Sequence, residues 1–378
     1  MNKQDFFIPN GIYLLNHSVG CLPRTTAFAK EEFFEMWKLK GGEAWGEWLS
    51  LLDGFCHSLA TLLNGHPDEF CPQTNLSSAI SKILLSLPLR RDRNKILISE
   101  MDFPSMGFAI SQMKRMGYQL EVIPAKNGRL SLESWKKYLK PDVELALITH
   151  VIYGNSFLNR VQDILDYAKA EGIITVVDIA QSVGVVPINL RQWNGDFVIG
   201  SCIKWLCGGA GAGFMWVNSE KVTNFQPMDV GWFSHENPFE FEIDNFRYAQ
   251  TAKRFWGGTP SVLPFAIAKL SIDTINRISV NRIRQHNQRL TQRLIEVAVA
   301  QNLKVLTPLD SSQRGGTVVI AFPNPMEAYQ RFKEANILID MRPNFGLRFS
   351  PHIYNDEAEI DRILDLLTSD CHLLPIAS

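Results

Sequence analysis

The sequence of 378 residues contains no long hydrophobic run. Its apolar runs, such as Ile96–Ile98 and Leu145–Ile148, fall far short of the roughly 18–20 residues that span a bilayer. The opening stretch, MNKQDFFIPN, does not combine a charged segment, an apolar segment and a small-residue cleavage site. We therefore expect a protein that has no membrane partner and that stays in the cytoplasm.

A large excess of charge of either sign is also missing. Lys and Arg number 38, Asp and Glu number 39, and the formal net charge is −1. A protein that binds nucleic acid needs a basic surface to displace counterions from the phosphates. We therefore expect no nucleic-acid partner.

The cysteines are few and widely spaced, and no C-x-x-C pair occurs. A disulfide framework or a zinc site would require cysteines at characteristic, mostly close spacings. We interpret the cysteines as free thiols and expect no metal centre. They are Cys21, Cys56, Cys71, Cys202, Cys207 and Cys371.

What the sequence does contain is an ordinary globular composition, with 46% hydrophobic and 20% charged residues. Strand and helix signals alternate through its middle, which predicts an α/β fold with a mainly parallel sheet. The candidate helices include Ser105–Met116 and Arg160–Ala170. The candidate strands are near-continuous apolar runs, so we expect both faces of the sheet to be covered. They are Lys95–Ser99, Gln119–Ile123, Leu145–Val151, Ile173–Asp178, Asp196–Gly200 and Gly213–Val217.

The pattern of the sequence changes after Pro260. A long helix-like segment, 262–301, is followed by short strand signals at Thr317–Ala321 and Gly346–Ser350. This change predicts a second, smaller α+β domain. We expect three parts: an N-terminal segment, 1–50, that packs with the small domain, a large domain, 51–262, and a small C-terminal domain, 263–378.

Two polar residues follow candidate strands of the sheet. Asp178 ends one apolar strand, and Lys204 comes shortly after the next. In open α/β sheets, ligands bind outside the carboxyl ends of the strands. An amine and a carboxylate at that edge suit pyridoxal phosphate (PLP), whose aldehyde forms a Schiff base with lysine and whose ring nitrogen needs a carboxylate partner. The alternative at this point is a turn-forming aspartate and a solvated surface lysine.

Eight segments of the chain form a recognisable series in a fixed order. They are IYLLNHSVG (12–20), EMDFPSM (100–106), THVIYGNSF (149–157), VVDIAQSVGVVPINL (176–190), SCIKWLCGGAG (201–211), GWFSHE (231–236), RFWGGTPS (254–261) and GLRFSPHIYN (346–355). With these segments the sequence resembles the class V aminotransferase family of fold-type I PLP enzymes, particularly its kynureninase branch. The resemblance implies a fold-type I PLP-dependent transferase, in which a large domain with a mainly parallel sheet carries a smaller α+β domain.

The resemblance also implies roles for residues around the cofactor. Lys204 matches the Schiff-base lysine, and Asp178 matches the partner of the pyridinium nitrogen. Gln181 resembles the residue that reaches the cofactor's phenolic oxygen, and Phe103 resembles the ring that stacks on the pyridine. Ser201 falls among the cofactor-binding positions of the same series.

A second group of matched residues concerns the phosphate and a neighbouring subunit. Gln73 and Thr74 lie where family members begin a helix that holds the phosphate, which suits an anion at a helix N-terminus. A plain helix cap is the alternative there. Thr259 matches a threonine that reaches the phosphate of the neighbouring subunit, and Trp232 would lie near the shared site. The resemblance therefore implies a homodimer.

The matched substrate-binding residues are Arg348, Trp256 and His17. The arginine corresponds to the one that grips the α-carboxylate of an amino-acid substrate, and its planar fork suits a bidentate contact. His17 and His150 are also candidates, by position only, for protonating a departing fragment. Structural histidines are the alternative for both.

The sequence departs from related enzymes at positions that bear on the reaction. Ile203 stands where kynureninases carry a tyrosine, and Met106 stands where the family has a second acid. The segment Ile337–Arg348 contains no cysteine and Cys371 lies beyond it, so we do not expect a cysteine desulfurase. We expect transamination of an α-amino acid. A kynureninase-like hydrolase or a β-lyase is the alternative, and a module that binds PLP or an amino acid without turnover is a third reading.

Overall fold

The computed structural model describes residues 3–88 and 92–369, and Cys371 therefore lies outside the described residues. The helices of these ranges, in chain order, are α1 (Ala29–Lys40), α2 (Trp45–Leu63), α3 (Leu76–Leu84), α4 (Pro104–Ser111), α5 (Leu132–Tyr138), α6 (Val161–Ala170), α7 (Leu263–Ile278), α8 (Val280–Ala300), α9 (Pro325–Glu334) and α10 (Glu357–Ser369). The strands are β1 (Phe6–Phe7), β2 (Ile12–Tyr13), β3 (Leu22–Pro23), β4 (Phe70–Gln73), β5 (Lys95–Ser99), β6 (Gln119–Ile123), β7 (Val143–Thr149), β8 (Ile174–Asp178), β9 (Phe197–Ser201), β10 (Gly213–Val217), β11 (Lys304–Val305), β12 (Val318–Ala321), β13 (Ile337–Leu338), β14 (Asp340–Arg342) and β15 (Gly346–Phe349).

The large sheet has seven strands in the order β4-β10-β9-β8-β7-β5-β6. From β6 to β9 the neighbouring strands run parallel, whereas β10 is antiparallel to both β9 and β4. The α/β fold and the six predicted strands are thus confirmed, with shifts of one or two residues at several ends. Sequence patterning did not predict β4 or the reversed direction of β10.

Helices cover both faces of this sheet, because alternate residues of its central strands are apolar on both sides. On β7, Leu145 and Leu147 belong to one buried cluster, together with Ile80 of α3 and Ile110 of α4. Ala146 and Ile148, which point the other way, belong to a second cluster that includes residues of α2, α6 and α7. The sheet is therefore the middle layer of a three-layer core.

A second sheet, in the order β11-β12-β15-β14, lies in the C-terminal part and is antiparallel. The helix predicted over 262–301 is interrupted at Ser279, whose φ is +79°. A right-handed helix cannot pass through that conformation, so the segment forms α7 and α8 instead.

The N-terminal segment contacts the C-terminal part, since β2 pairs in parallel with β13. The predicted boundary after residue 50 falls inside α2, and the one after 262 coincides with the start of α7. The division into three parts remains a prediction. No helix in the described part of the chain is long and apolar enough to cross a membrane.

One edge of the large sheet is rich in polar residues. The parallel strands β5, β7, β8 and β9 end there at Ser99, Thr149, Asp178 and Ser201. Ligands of open α/β sheets bind at this carboxyl edge. The loops that follow these strands enclose the candidate site.

Candidate active site

A cavity of about 160 Å³ opens at the carboxyl edge of the large sheet. Its wall includes five of the predicted site residues. They are Phe103, Asp178, Gln181, Ser201 and Lys204. The fold therefore brings together side chains from three different loops and two strand ends.

Asp178 is the last residue of β8 and is 5% exposed. Its Oδ1 atom accepts a hydrogen bond from the backbone N–H of Ala180 at 2.8 Å. Burial raises the pKa of Asp178, because the charged form loses hydration, while that hydrogen bond and the charge of Lys204 oppose the shift. The carboxyl group is thus buried at the cavity wall with a positive group near it.

Lys204 is half-buried in the turn that follows β9. Its Nζ atom lies 5.9 Å from the centroid of the Phe103 ring. Burial lowers the pKa of Lys204, the negative charge of Asp178 opposes that shift, and the positive charge of Arg348 adds to it. These conditions favour a neutral amine more than a surface position would.

The turn that carries Lys204 is held by a close approach of the N-terminal segment. The N–H of Gly20 donates to the carbonyl oxygen of Ile203 at 2.8 Å. A Cβ atom on Gly20 would lie 2.2 Å from the carbonyl oxygen of Lys204, so only glycine fits there. This contact explains why the motif NHSVG ends in glycine and fixes the backbone beneath the lysine.

The ring of Phe103 lies edge-to-face with that of Tyr153, with centroids 5.2 Å apart, and Phe103 is 44% exposed.

The side-chain amide of Gln181 makes a hydrogen bond through its nitrogen and another through its oxygen. Its Nε2 donates to the carbonyl oxygen of His17 at 3.0 Å, and its Oε1 accepts from Nε1 of Trp205 at 3.4 Å. Phe103 and Gln181 thus have fixed positions at the cavity wall.

Helix α3 begins beside the cavity, and its first residues Leu76 and Ser77 form part of the wall. Asn75 caps this helix, since its Oδ1 accepts from the N–H of Ser78 at 2.9 Å. The exposed Thr74 donates from its hydroxyl to Ser78 Oγ at 3.3 Å. Gln73 is buried, and its Nε2 donates to the carbonyl oxygen of Phe255 at 3.2 Å. Thr74 and Gln73 are therefore beside the cavity and not in its wall.

Arg348 is 3% exposed and is not one of the described residues that form the cavity wall. Its Nη1 donates to the carbonyl oxygen of Tyr153, a wall residue, at 3.2 Å. Its guanidinium also pairs with the Asp340 carboxylate, with Nε–Oδ1 at 2.8 Å and Nη2–Oδ2 at 2.5 Å. His17 contacts the same carboxylate through Nε2 at 3.0 Å. The predicted substrate arginine and histidine thus belong to one cluster, joined by an aspartate that the sequence did not single out.

His150 lies next to the site without forming part of its wall. Its ring Nδ1 is 2.9 Å from Ser182 Oγ, and its backbone N–H donates to the carbonyl oxygen of Asp178 at 2.9 Å. Burial lowers the pKa of His150 to about 3, and the charge of Arg284 adds to the effect. The ring is therefore neutral at physiological pH.

The remaining predicted residues lie together away from the cavity wall. Nε1 of Trp232 donates to Oγ1 of Thr259 at 3.3 Å. Phe233 joins the rings of Trp232 and Trp256, with centroid distances of 4.4 and 5.1 Å. This aromatic cluster is partly exposed.

Several wall residues were not found from the sequence. They are Ser77, Ser105, Thr149 and Tyr153. Thr149 ends β7 directly beside Asp178, so the strand-end rule could have found it. The other three lie in loops or at helix starts, where no periodic pattern marks them.

Comparison with known proteins places this chain in a family. Residues 59–363 match the family described as Aminotransferase class-V. The chain is 25% identical over 352 residues to the uncharacterized aminotransferase YcbU of Bacillus subtilis (strain 168), covering 93% of this chain and 92% of that protein. It is 29% identical over 363 residues to a kynureninase of Deinococcus radiodurans, covering 92% of this chain and 87% of that protein.

Solved structures give the same fold. The apo cysteine desulfurase from Thermococcus onnurineus NA1 superposes with a TM-score of 0.87 at 22% identity, covering 97% of this chain and 96% of that one. A C-DES mutant with glycine covalently linked to its PLP cofactor superposes with a TM-score of 0.88 at 19% identity, covering 97% and 99%. These likenesses show the fold-type I architecture.

This chain belongs to the class V aminotransferase family. It is a PLP-dependent enzyme that acts on an amino acid, and its relatives support the kynureninase-like branch. The described residues fit that cofactor, because an amine, a carboxylate and an aromatic ring share one cavity beside the N-terminus of α3. A helix N-terminus stabilises an anion such as a phosphate.

Proposed function

We propose that the protein is an aminotransferase that removes the amino group of an α-amino acid and passes it to a keto acid. The observation that carries this proposal is the composition of the cavity wall. Lys204 is its one amine, and no cysteine is among the described residues that form it. Transamination needs a single proton carrier that works at two carbon atoms, and one lysine meets that need.

In this proposal each wall residue has a defined task. PLP, when bound, withdraws electrons from the bonds at the substrate Cα. Lys204 would hold the cofactor and, as a neutral amine, would accept the proton of the substrate Cα and carry it to the second carbon atom. Its lowered pKa makes the neutral form accessible. Asp178, through its buried negative charge, would favour a proton on the ring nitrogen.

The remaining cofactor residues would fix the ring and the phosphate. Phe103 would pack on the ring, Gln181 and Ser201 would hold its polar edge, and the N-terminus of α3 would hold the phosphate. We add Ser77, which lies in the cavity wall, to the residues that would hold the phosphate. Thr74, at the same helix start, remains one of these residues. Gln73 would support this phosphate site indirectly, because its side chain holds the backbone at Phe255.

The substrate carboxylate would be bound by Arg348. A guanidinium offers a planar set of donors that matches a carboxylate, and such charge-assisted contacts are about twice as strong as neutral hydrogen bonds. Arg348 donates a hydrogen bond to the carbonyl oxygen of Tyr153, a residue of the cavity wall, and its positive charge helps to lower the pKa of Lys204. A free α-amino acid is the substrate class that this arrangement favours.

We further propose a homodimer in which Trp232, Trp256 and Thr259 reach the neighbouring site. Their cluster lies outside the cavity wall and is partly exposed, which supports a contact with a second copy. Phe241 stacks on Trp232 with centroids 5.8 Å apart and is 75% exposed. Aromatic residues are enriched in protein interfaces.

A cytoplasmic location is part of the same proposal. It is supported by the thiols, because Cys21, Cys56, Cys71, Cys202 and Cys207 are buried and free. Reduced, unpaired cysteines are usual in proteins of that compartment.

A second candidate function is a kynureninase-like hydrolase or a β-lyase. It is favoured by Tyr153, whose ring lies in the cavity wall against Phe103. A phenol there could give a proton to a departing side-chain fragment. Ile203, which stands where kynureninases carry a tyrosine, has no proton to give. The two candidates share every other residue of the site.

Product analysis separates them. The purified holoenzyme would be mixed, in a single turnover, with a panel of L-amino acids that includes L-kynurenine, and cofactor and products would be identified by mass spectrometry. The amino form of the cofactor together with the matching keto acid is the expected result. Cleaved side chains with the aldehyde form returned would contradict transamination and support the second candidate.

A further inference from the structure

Asp340 and Arg348 form a cross-strand pair in the small sheet. They are register partners on the antiparallel strands β14 and β15. The carboxylate contacts the guanidinium side-on, through Nε and Nη2. The strand pairing fixes the two backbones opposite each other, and the contacts of the carboxylate with Arg348 and His17 hold the side chain in place.

The pairing leaves part of Arg348 available. A guanidinium has five N–H donors. Asp340 takes two of them, and the carbonyl oxygen of Tyr153 takes one on Nη1. One donor on each terminal nitrogen remains, and two is the number that a bidentate carboxylate ligand requires.

His17 supports the carboxylate from the other side. Its Nε2 is 3.0 Å from Asp340 Oδ1, and its Nδ1 is 2.6 Å from Ser350 Oγ. A carboxylate oxygen only accepts, so Nε2 carries the proton and the neutral ring accepts at Nδ1. Ser350 therefore donates to His17, and Thr317 Oγ1, 2.8 Å away, donates to Ser350.

The pKa values of His17 and Asp340 agree with a neutral His17 that donates to the Asp340 carboxylate. Burial lowers the pKa of His17 to about 4, and the charge of Arg348 adds to the effect, while Asp340 opposes it. Burial alone would raise the pKa of Asp340, but the contacts with His17 and Arg348 hold it well below its usual range. Arg342, whose Nε is 3.5 Å from Asp340 Oδ2, adds a second positive group. Asp340 is thus a fixed anion with a neutral histidine behind it.

We infer that Asp340 and His17 are positioning residues, which hold Arg348 side-on so that its two free donors bind the α-carboxylate of the substrate. This inference rests on the proposed function. In the opposite role, the Asp340 carboxylate would compete with the substrate carboxylate for Arg348 and would leave when the substrate binds. The further contacts of the Asp340 carboxylate, with His17 and with Arg342, argue against a group that leaves.

Equilibrium binding to the holoprotein tests the assignment. The α-methyl derivatives of the common L-amino acids, which lack the Cα proton and are therefore not transaminated, are titrated by calorimetry. The tightest binder is then compared with its own carboxamide, which lacks the negative charge. In Asp340→Asn, which keeps the shape of the side chain, we expect the dissociation constant of the amino acid to rise at least tenfold. That of the carboxamide should change less than threefold, because it makes no bidentate contact.

Two further variants complete the design. His17→Gln removes the support but keeps the Asp340–Arg348 pair, and should weaken amino-acid binding in the same direction by a smaller factor. Asp142→Asn makes the same chemical change in a partly exposed ion pair with Lys95 and should alter neither constant.

The outcomes distinguish the inference from the proposed function. Unchanged or tighter amino-acid binding in Asp340→Asn would overturn positioning and make Asp340 a competitor. Equal weakening of both ligands would also overturn it, since that is general damage to the site. A wild-type holoprotein that binds none of the amino acids would contradict the proposed function itself.

Discussion

Burial shifts the pKa values of Asp178 and Lys204 in opposite directions, and the charge of each residue opposes the shift of the other. The two side chains share one cavity at the ends of neighbouring strands. Burial alone favours both neutral forms. A cationic ring beside Asp178 would favour its carboxylate, while Lys204 would keep its access to the neutral amine. The pair therefore suits a cofactor that needs a base, Lys204, on one side and an anion, Asp178, on the other.

The first prediction concerns that anion. Replacing Asp178 by Asn keeps the shape and removes the charge, so cofactor affinity should fall and turnover should drop on the order of a thousandfold, as for loss of a preorganised electrostatic contact. Cofactor titration by absorbance and steady-state kinetics measure both effects. Asp166→Asn, on the exposed face of α6, is the matched control. Unchanged kinetics in Asp178→Asn would mean that another residue is the acid.

The second prediction concerns pH and the buried His352. Its Nδ1 accepts from the N–H of Ile353 at 2.7 Å, and its Nε2 donates to the carbonyl oxygen of Trp205 at 3.0 Å. Burial lowers the pKa of His352 to about 4, against about 6.5 in an unfolded chain. Between those values the unfolded chain binds a proton that the folded protein does not, so stability is lost as the pH falls from about 6.5 to about 4.

His352→Gln removes this titration. We expect the free energy of unfolding to depend less steeply on pH, by up to about 1.4 kcal/mol per pH unit. His17 and His150, whose pKa values are lowered in the same way, keep part of the slope. Urea unfolding at several pH values between 4 and 7 measures it, with the exposed His57→Gln as control. An equal slope in His352→Gln and wild type would refute the assignment.

The third prediction concerns the dimer. Phe241→Asp places a charge in the exposed aromatic cluster around Trp232, and we expect it to convert a dimer into a monomer with lowered turnover, because burying an unpaired charge is unfavourable. Sedimentation velocity gives the oligomeric state. Met326, which is 65% exposed on α9, supplies the matched control Met326→Asp. A wild-type monomer, or a dimer that survives in Phe241→Asp, would contradict the proposed interface.

Local patterns were sufficient for much of the fold. The apolar runs of β5 to β9 predicted the sheet, and the strand-end rule pointed to Asp178 and Lys204. Strand β4, Phe70–Gln73, was not predicted because a proline and a glutamine interrupt its short apolar run. The antiparallel direction of β10 depends on its neighbours, which the sequence of one strand does not specify.

The site itself depends on contacts between distant segments. Tyr153 and Ser77 meet the other wall residues only because their loops converge, and no spacing in the chain records that. The pair of Asp340 and Arg348 depends on the register of β14 and β15, and its link to His17 joins residues more than three hundred positions apart. Family resemblance identified Arg348 and His17, while the aspartate between them became visible in three dimensions.

The central claim is that Lys204 holds the cofactor covalently in this cavity. Borohydride reduction of the purified holoenzyme, followed by digestion and mass spectrometry, locates the cofactor on the chain. We predict that the reduced cofactor is attached to Lys204, and that Lys204→Ala carries no covalent cofactor and has no turnover. Lys136→Ala, which changes a partly exposed lysine of α5, should behave as wild type. Attachment to another lysine, or covalent cofactor in Lys204→Ala, would contradict the account.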